Sequence, residues 1–200
     1  VSQRRGNLPY TSTGLAECLS GGAKAFGWET TREKRKDDGP IRKGYGVAAG
    51  MWGYGGGPPA TVVVKLFADG SVNVNTGAAD IGTGTKTVMA QTVAEELGVP
   101  LEKIQIEHAD TGTTQYSGPS GGSKTVPSDM PAARAAAVEV RRKLLAGAAE
   151  ELKVPAAELK LEGADVVSTK DPAKKLAVTA VPALQRNQVL VGVGTRGPNV

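Results

Sequence analysis

The sequence holds one cysteine and one histidine in 200 residues, and aromatic side chains make up only 4% of it. Cys18 has no second thiol to oxidise with, so an internal disulfide is excluded, and a cysteine-built metal centre cannot be assembled within the chain. Nucleic-acid binding calls for aromatic platforms and a concentrated basic stripe. Neither is present: the net charge is +4, but Lys and Arg are interleaved with acids, as in Arg32-Glu33-Lys34-Arg35-Lys36-Asp37-Asp38, the pattern of a solvated loop. No apolar run is long enough to cross a bilayer, and the start carries no signal-peptide pattern. Neither a nucleic acid nor a membrane is therefore an expected partner. No internal repeat of solenoid length is found. A hydrophobic content of 40% suits an ordinary globular core. The chain opens at Val1 without a methionine and stops soon after a strand-like run, so it is expected to be a piece of something larger.

What the chain has in quantity is glycine, 27 residues of it, and two glycine-rich loops stand out. The first reads Asp80-Ile81-Gly82-Thr83-Gly84-Thr85-Lys86-Thr87, the second Gly118-Pro119-Ser120-Gly121-Gly122-Ser123-Lys124-Thr125. Each opens what reads as a helix. Glycine lets a phosphate or a flat ring approach the backbone, and a helix start offers unpaired N–H groups and a positive dipole end to an anion.

The pattern around the loops is α+β, with mixed sheets and helices packed on one side. Residues 1–28 contain a short helix with Leu15, Leu19 and Ala23 on one face, capped by Ser12 or Thr13 and ending near Gly27. Phe26 and Trp28 are expected to pack it onto a neighbour. The charged stretch 29–43, with Gly39-Pro40, marks a boundary, so that 1–43 forms a short helical segment and exposed linker and 44–200 the main, incomplete domain. Residues 44–51 read as a strand. Residues 60–68 are a stronger one, with Val62, Val64 and Leu66 on one face; Asp69-Gly70 supplies a two-residue turn, and 71–76 returns with Val72 and Val74 inward. After the first loop, Met89, Val93 and Leu97 mark a helix over 85–97, stopped by Gly98 and Pro100. A strand at 104–107, the second loop and a long helix to about Leu152 follow. That helix carries a stripe of Ala133, Ala137, Val140, Leu144 and Ala148, while Pro127 and Pro131 require a place in its first turn or a kink. Short strands at 159–161, 166–168 and 189–193 and a small helix near 179–185 complete the chain. Both glycine loops can then fall at the same edge of the sheet.

Two nucleotide readings fail on spacing. Gly118-x-x-x-x-Ser123-Lys124-Thr125 differs from the Walker pattern by a serine where the last glycine gives the phosphate nest its backbone freedom, and it follows its strand by about ten polar residues. Gly82-x-Gly84 lacks the third glycine of a dinucleotide fingerprint. Two readings remain open from the residues alone. In one, the loops are tight turns before helices, with Thr85, Ser123 or Thr125 as N-caps. In the other, they jointly bed a long phosphorylated ligand, with Gln91 on the first helix and the hydroxyls of Thr83, Thr85, Ser123 and Thr125 adding hydrogen bonds.

The run from Asp80 to Gln91, then Glu96-Leu97-Gly98-Val99-Pro100, Ile104, Asp110, and Ser120-Gly121-Gly122-Ser123 before an alanine-rich helix, resembles the molybdenum-binding large subunit of the xanthine dehydrogenase and aldehyde oxidase family. The nearest likeness is to bacterial aldehyde oxidoreductases that carry molybdopterin cytosine dinucleotide. The resemblance implies a molybdopterin-binding domain in which Gly82, Thr83, Gly84 and Thr85 lie near the metal and pterin. Gly121, Gly122, Ser123 and Thr125 would lie along the dinucleotide, with backbone N–H groups doing most of the holding. Many relatives have Gly-Gln-Gly where this chain has Gly82-Thr83-Gly84; the shorter threonine implies a bridging water for any contact with the metal's oxo ligand.

The implied activity is hydroxylation of aldehydes or heteroaromatic rings with water as the oxygen source. A small-molecule aldehyde or heteroaromatic is the substrate; the implied partners are an iron–sulfur subunit, an FAD-binding subunit and the remainder of the large subunit. The family's general base is a glutamate in a Gly-x-Gly-Glu motif, which is absent here, so no catalytic residue and no metal ligand is assigned and the piece is expected to be inactive alone. Glu95, Glu96 and Glu107 are expected on surfaces or helix faces, and His108 as a structural hydrogen-bonder. Trp52 and Tyr54 are candidates for lining a substrate approach or packing on a further domain. A stand-alone module for another phosphorylated ligand, or a purely structural domain, remains the alternative.

Overall fold

A computed structural model describes residues 4–5, 8–9, 12–33, 39–50, 52–53, 57 and 59–196. The chain divides into two compact units, Val1–Met51 and Trp52–Val200.

In the first unit, β1 (Arg4–Arg5) pairs antiparallel with β2 (Leu8–Pro9), and α1 (Leu15–Phe26) and α2 (Trp28–Glu33) follow. The expected cap at Ser12 or Thr13 does not form. Gly14 is the N-cap and no side chain bonds to the first turn, while Gly27 ends the helix in the left-handed region as anticipated, at φ 66°. Phe26 finds its partners inside the unit, with ring centroids 6.0 Å from Trp28 and 5.3 Å from Tyr45. The strand expected over 44–51 is not observed, since 41–50 has no regular structure and Met51 lies outside the described residues. Three glycines, Gly44, Gly46 and Gly50, and small neighbours leave that stretch too little side chain to cover a sheet face.

The second unit is built on a four-stranded sheet in the order β5-β4-β3-β9. β3 (Ala60–Phe67) and β4 (Val72–Thr76) form the antiparallel hairpin. Its turn is one residue longer than expected: Gly70 N–H bonds to the Phe67 carbonyl at 2.9 Å, with Gly70 at φ 80°. That is a three-residue loop closed by a left-handed glycine. α3 (Thr85–Leu97) carries the chain across to β5 (Ile104–His108), which lies parallel to β4. α4 (Thr125–Leu152) then runs back over the sheet. Pro127 lies in its first turn and Pro131 sits inside it, where no N–H is available for the preceding turn. A small antiparallel sheet follows, made of β6 (Leu159–Glu162), β7 (Asp165–Ser168) and β8 (Lys175–Ala177), then α5 (Pro182–Asn187). β9 (Val189–Arg196) returns to pair antiparallel with β3 along its whole length.

The core lies between one face of the four-stranded sheet and the two long helices. Val62, Val64 and Leu66 of β3, Val72 and Val74 of β4, Met89, Val93 and Leu97 of α3, and Ala133, Ala137, Val140, Leu144 and Ala148 of α4 are all buried. The alanine stripe brings α4 close to the sheet, and β9 answers it with glycines. Gly192 and Gly194 face the helix backbone at Ala136 and Ala132. On the outer edge of β9, Glu139 accepts the Val193 N–H at 2.8 Å and Lys143 donates to the Val191 carbonyl at 2.7 Å, the two side chains paired at 2.8 Å. Among the described residues no helix is long and apolar enough to cross a membrane.

Candidate functional site

Because β4 and β5 are parallel neighbours, the segments that leave their carboxyl ends emerge on the same edge of the sheet. This is the edge at which open α/β sheets take ligands. The first glycine loop leaves β4 and the second follows β5, so both open there. They are tied together: Ser120 Oγ donates to the Ala79 carbonyl at 2.7 Å, and Thr125 Oγ1 bonds to Ser120 Oγ at 3.1 Å. Ser117, at the start of the second loop, forms a bridge with Ala60 at the head of β3.

Between the loops lies a cleft of about 580 Å³, lined from the first loop by Ile81, Thr83 and Thr85 and from the second by residues 120–127, with Trp52 beside them. Six of the eight residues expected to contact a ligand, Thr83, Thr85, Gly121, Gly122, Ser123 and Thr125, thus face one hollow. Gly82 and Gly84 do not line it; they turn the first loop from behind, in the left-handed region at φ 93° and 76°. Trp52 is 81% exposed at the rim, and Tyr54 lies outside the described residues. Gln91, expected to assist, is exposed on α3 and does not reach the cleft.

The two loops offer different chemistry. In the first, Asp80 turns back on the loop that it begins. Its Oδ1 accepts the N–H groups of Gly82 at 3.0 Å, Thr83 at 3.1 Å and Gly84 at 3.3 Å, and its Oδ2 accepts that of Lys86 at 3.1 Å. Of the four residues of this loop expected to hold a ligand through backbone N–H groups, Gly82, Thr83 and Gly84 have theirs already bonded, and Thr85 does not donate to Asp80. Thr83 Oγ1 and Thr85 Oγ1, 3.1 Å apart, face the cleft instead. Thr85 is not the N-cap either, since that position is Gly84, with no side chain bonded to the first turn. The legible signal was Asp-x-Gly, an Asx turn, repeated where Gly112 N–H bonds to Asp110 at 2.8 Å.

In the second loop, Gly122 at φ 56° and Ser123 at φ 54° are both left-handed, so the serine takes up the conformation that a glycine would ordinarily supply. Lys124, not Ser123 or Thr125, is the N-cap of α4, and no side chain caps it. The Lys124 ammonium is enclosed against Gly118 rather than extended into the cleft, which removes the Walker-lysine role. Beneath the loop, Asp129 is fully buried and accepts a hydrogen bond from Ser117 Oγ at 3.1 Å. Its Oδ1 and the Lys124 Nζ have no hydrogen-bond partner among the described residues. Ser128, also buried, donates to the Gly57 carbonyl at 2.6 Å and accepts the Gly57 N–H at 3.0 Å.

Burial pushes the Asp129 carboxyl above its ordinary value, opposed by the Ser117 hydrogen bond and the Lys124 charge. The folded chain then holds that proton more tightly than the unfolded chain. The Asp129 contribution is therefore most favourable below the ordinary carboxylate pKa and declines as pH rises through the raised folded value. Asp80 behaves oppositely: its amide donors, Lys86 foremost, hold it low, so the stability it contributes is present above the ordinary value and lost as pH falls through the lowered one. In urea unfolding from about pH 2 to 7, Asp129→Asn is expected to remove the component of stability that declines as pH rises, and Asp80→Asn the loss on the acid side of the ordinary carboxylate value.

Other sequence candidates fall away from the cleft. His108 ends β5 half-buried, its Nδ1 without a hydrogen-bond partner among the described residues. Glu95 and Glu107 are exposed, the latter accepting a hydrogen bond from Asn75 Nδ2 at 3.0 Å. Glu96 departs from expectation. It is buried on α3 and binds two arginines of α4, Arg134 at 2.6 Å and Arg141 at 2.8 Å, clamping the two helices together.

The chain belongs to the molybdopterin cofactor-binding domain family, whose model matches residues 22–195. It is 34% identical over 171 residues to the xanthine dehydrogenase molybdenum-binding subunit of Escherichia coli O157:H7, covering 82% of this chain and 23% of that protein. It is 38% identical over 126 residues to the aldehyde oxidoreductase molybdenum-binding subunit PaoC of Escherichia coli K12, covering 60% of this chain and 17% of the relative. Among solved structures, reconstituted CO dehydrogenase from Oligotropha carboxidovorans superposes with a TM-score of 0.64 at 26% identity, covering 70% of this chain and 18% of that one. The chain thus spans less than a quarter of the length of the relatives it matches. The α+β arrangement expected from the sequence, with helices on one side of mixed sheets, is the arrangement found.

Proposed function

We propose that the cleft between the two glycine loops is one wall of the binding site for molybdopterin cytosine dinucleotide in a molybdenum hydroxylase that oxidises aldehydes or heteroaromatic compounds. The observation that carries this is the meeting of two separate loops, 120 and 79 bonded at 2.7 Å, around a single hollow edged with hydroxyls.

The residues present suit such a ligand. A Cβ added at Gly121 would meet nothing within 4 Å, so the backbone there is open to a phosphate or ring. Gly121, Gly122, Ser123 and Thr125 would hold the phosphate-bearing part through amides and hydroxyls, and the α4 dipole favours negative charge at that end. Thr83 and Thr85 would hydrogen-bond the other part through their side chains. The bound cofactor supplies the redox chemistry, with water as the source of oxygen. Among the described residues no side chain in the cleft is placed to act as general base, so on this reading the catalytic proton acceptor, the substrate funnel and the electron-accepting iron–sulfur and FAD-binding subunits are contributed from outside this span.

Gly121→Leu tests the reading without disturbing the backbone, because no close contact opposes the new side chain and the residue is not in the left-handed region. Retention of the isolated cofactor, followed by pterin fluorescence, is expected to weaken about tenfold or more. Retention equal to that of the parent chain, or none by either protein, counts against it.

A further inference from the structure

We propose that Asp80 is a built-in anion that fills the amide nest at the start of α3, excludes phosphate from the first loop and so leaves Thr83 and Thr85 as the groups which that loop presents to a ligand. The inference deepens the cofactor reading by assigning which loop can take an anion, and its exclusion half stands apart from that reading.

The geometry is direct. One carboxylate receives four backbone N–H groups, three on Oδ1 and one on Oδ2, all between 3.0 and 3.3 Å. Gly82 and Gly84 hold left-handed conformations that turn these amides inward. A nest of this kind at the head of a 13-residue helix would ordinarily attract a free anion. Here a fixed negative charge already occupies it, and an incoming phosphate meets repulsion as well as spent donors. Val88 N–H, two residues beyond Lys86, is bonded to the Gly84 carbonyl at 3.1 Å, while the N–H groups of Thr85 and Thr87 are not among those that Asp80 takes. The hydroxyls that remain carry no charge and suit a neutral hydrogen-bonding ring better than a phosphate. Asp80 is therefore a positioning and specificity residue.

The test is a titration of the 15N-labelled 200-residue chain with inorganic pyrophosphate, read at the Gly82, Thr83, Gly84 and Lys86 amides. In the parent chain these signals are expected to stay fixed. In Asp80→Ala they are expected to move, with binding at that loop at least about tenfold tighter than in the parent. Asp80→Asn keeps the shape and one acceptor oxygen but loses the charge, so the Lys86 amide alone is expected to respond; this variant decides the matter if Asp80→Ala does not fold. Parent-chain amides that shift as readily as those of Asp80→Ala would overturn the proposal, as would a folded Asp80→Asn in which Lys86 never responds. Shifts at Gly122 and Ser123 report on the cofactor reading separately, since their absence in every protein counts against that reading alone.

Discussion

Replacing Gly194 by alanine is expected to cost about 3 kcal/mol or more, and replacing it by valine to abolish cooperative unfolding. A Cβ at this position would lie 1.9 Å from the Ala132 carbonyl oxygen and 2.5 Å from the Ala136 nitrogen. Both are backbone atoms of α4, which cannot step aside as a side chain could. Relief requires the helix to lift from β9, and that exposes the contact between Ala133, Ala137 and Val140 and the buried residues of β3. Gly192 faces the same surface, its added Cβ 2.1 Å from the Ala136 carbonyl, so Gly192→Ala belongs to the same class. Val193, between them, points away from the helix and is 53% exposed. Val193→Thr should change stability by no more than about 0.5 kcal/mol. Urea unfolding of the four variants checks the contrast, and equal midpoints for Gly194→Ala and Val193→Thr would refute it.

These glycines also mark the limit of what the sequence made legible. The period-two pattern of Val62, Val64 and Leu66 and the i, i+4, i+8 pattern of Met89, Val93 and Leu97 identify their elements because burial selects one face of each. The alanine stripe of α4 is visible in the sequence but its partner is not, because that partner lies some 55 residues further along and declares itself only through a missing Cβ. The site divides in the same way. Glycine spacing and hydroxyl content identified both loops, and the parallel pairing of β4 and β5 places them on one edge. The use of Asp80 was hidden by the same glycines: the sequence shows that the backbone can form a nest, not that a residue two to six positions earlier fills it. Glu96 looked like a helix-surface acid since its arginine partners are 38 and 45 residues away. Charge pairing over such distances leaves no local pattern.

Gly77→Ala is expected to separate the two loops and, on the proposed function, to lose cofactor retention about tenfold or more while costing about 2–3 kcal/mol of stability. The added Cβ would sit 1.9 Å from the Gln115 carbonyl oxygen and 2.9 Å from the Ser117 nitrogen, both backbone atoms of the segment that leads into the second loop. That segment is held on both sides: Ser117 bridges Ala60, and Asn75 donates to the Thr113 carbonyl at 3.4 Å. It can retreat only by giving up one of these contacts, and the Ser120 bond to Ala79 lies just beyond, so the cleft opens at its base. Hydrogen exchange at the Gln115 and Ser117 amides should accelerate in Gly77→Ala and stay unchanged in Gly121→Leu. Both variants should lose cofactor, one by moving a wall and the other by filling the space between the walls. Loss of retention in Gly121→Leu with full retention in Gly77→Ala would mean that the second loop binds alone. The common rim, and not merely the glycine content of either loop, is what that pair of measurements isolates.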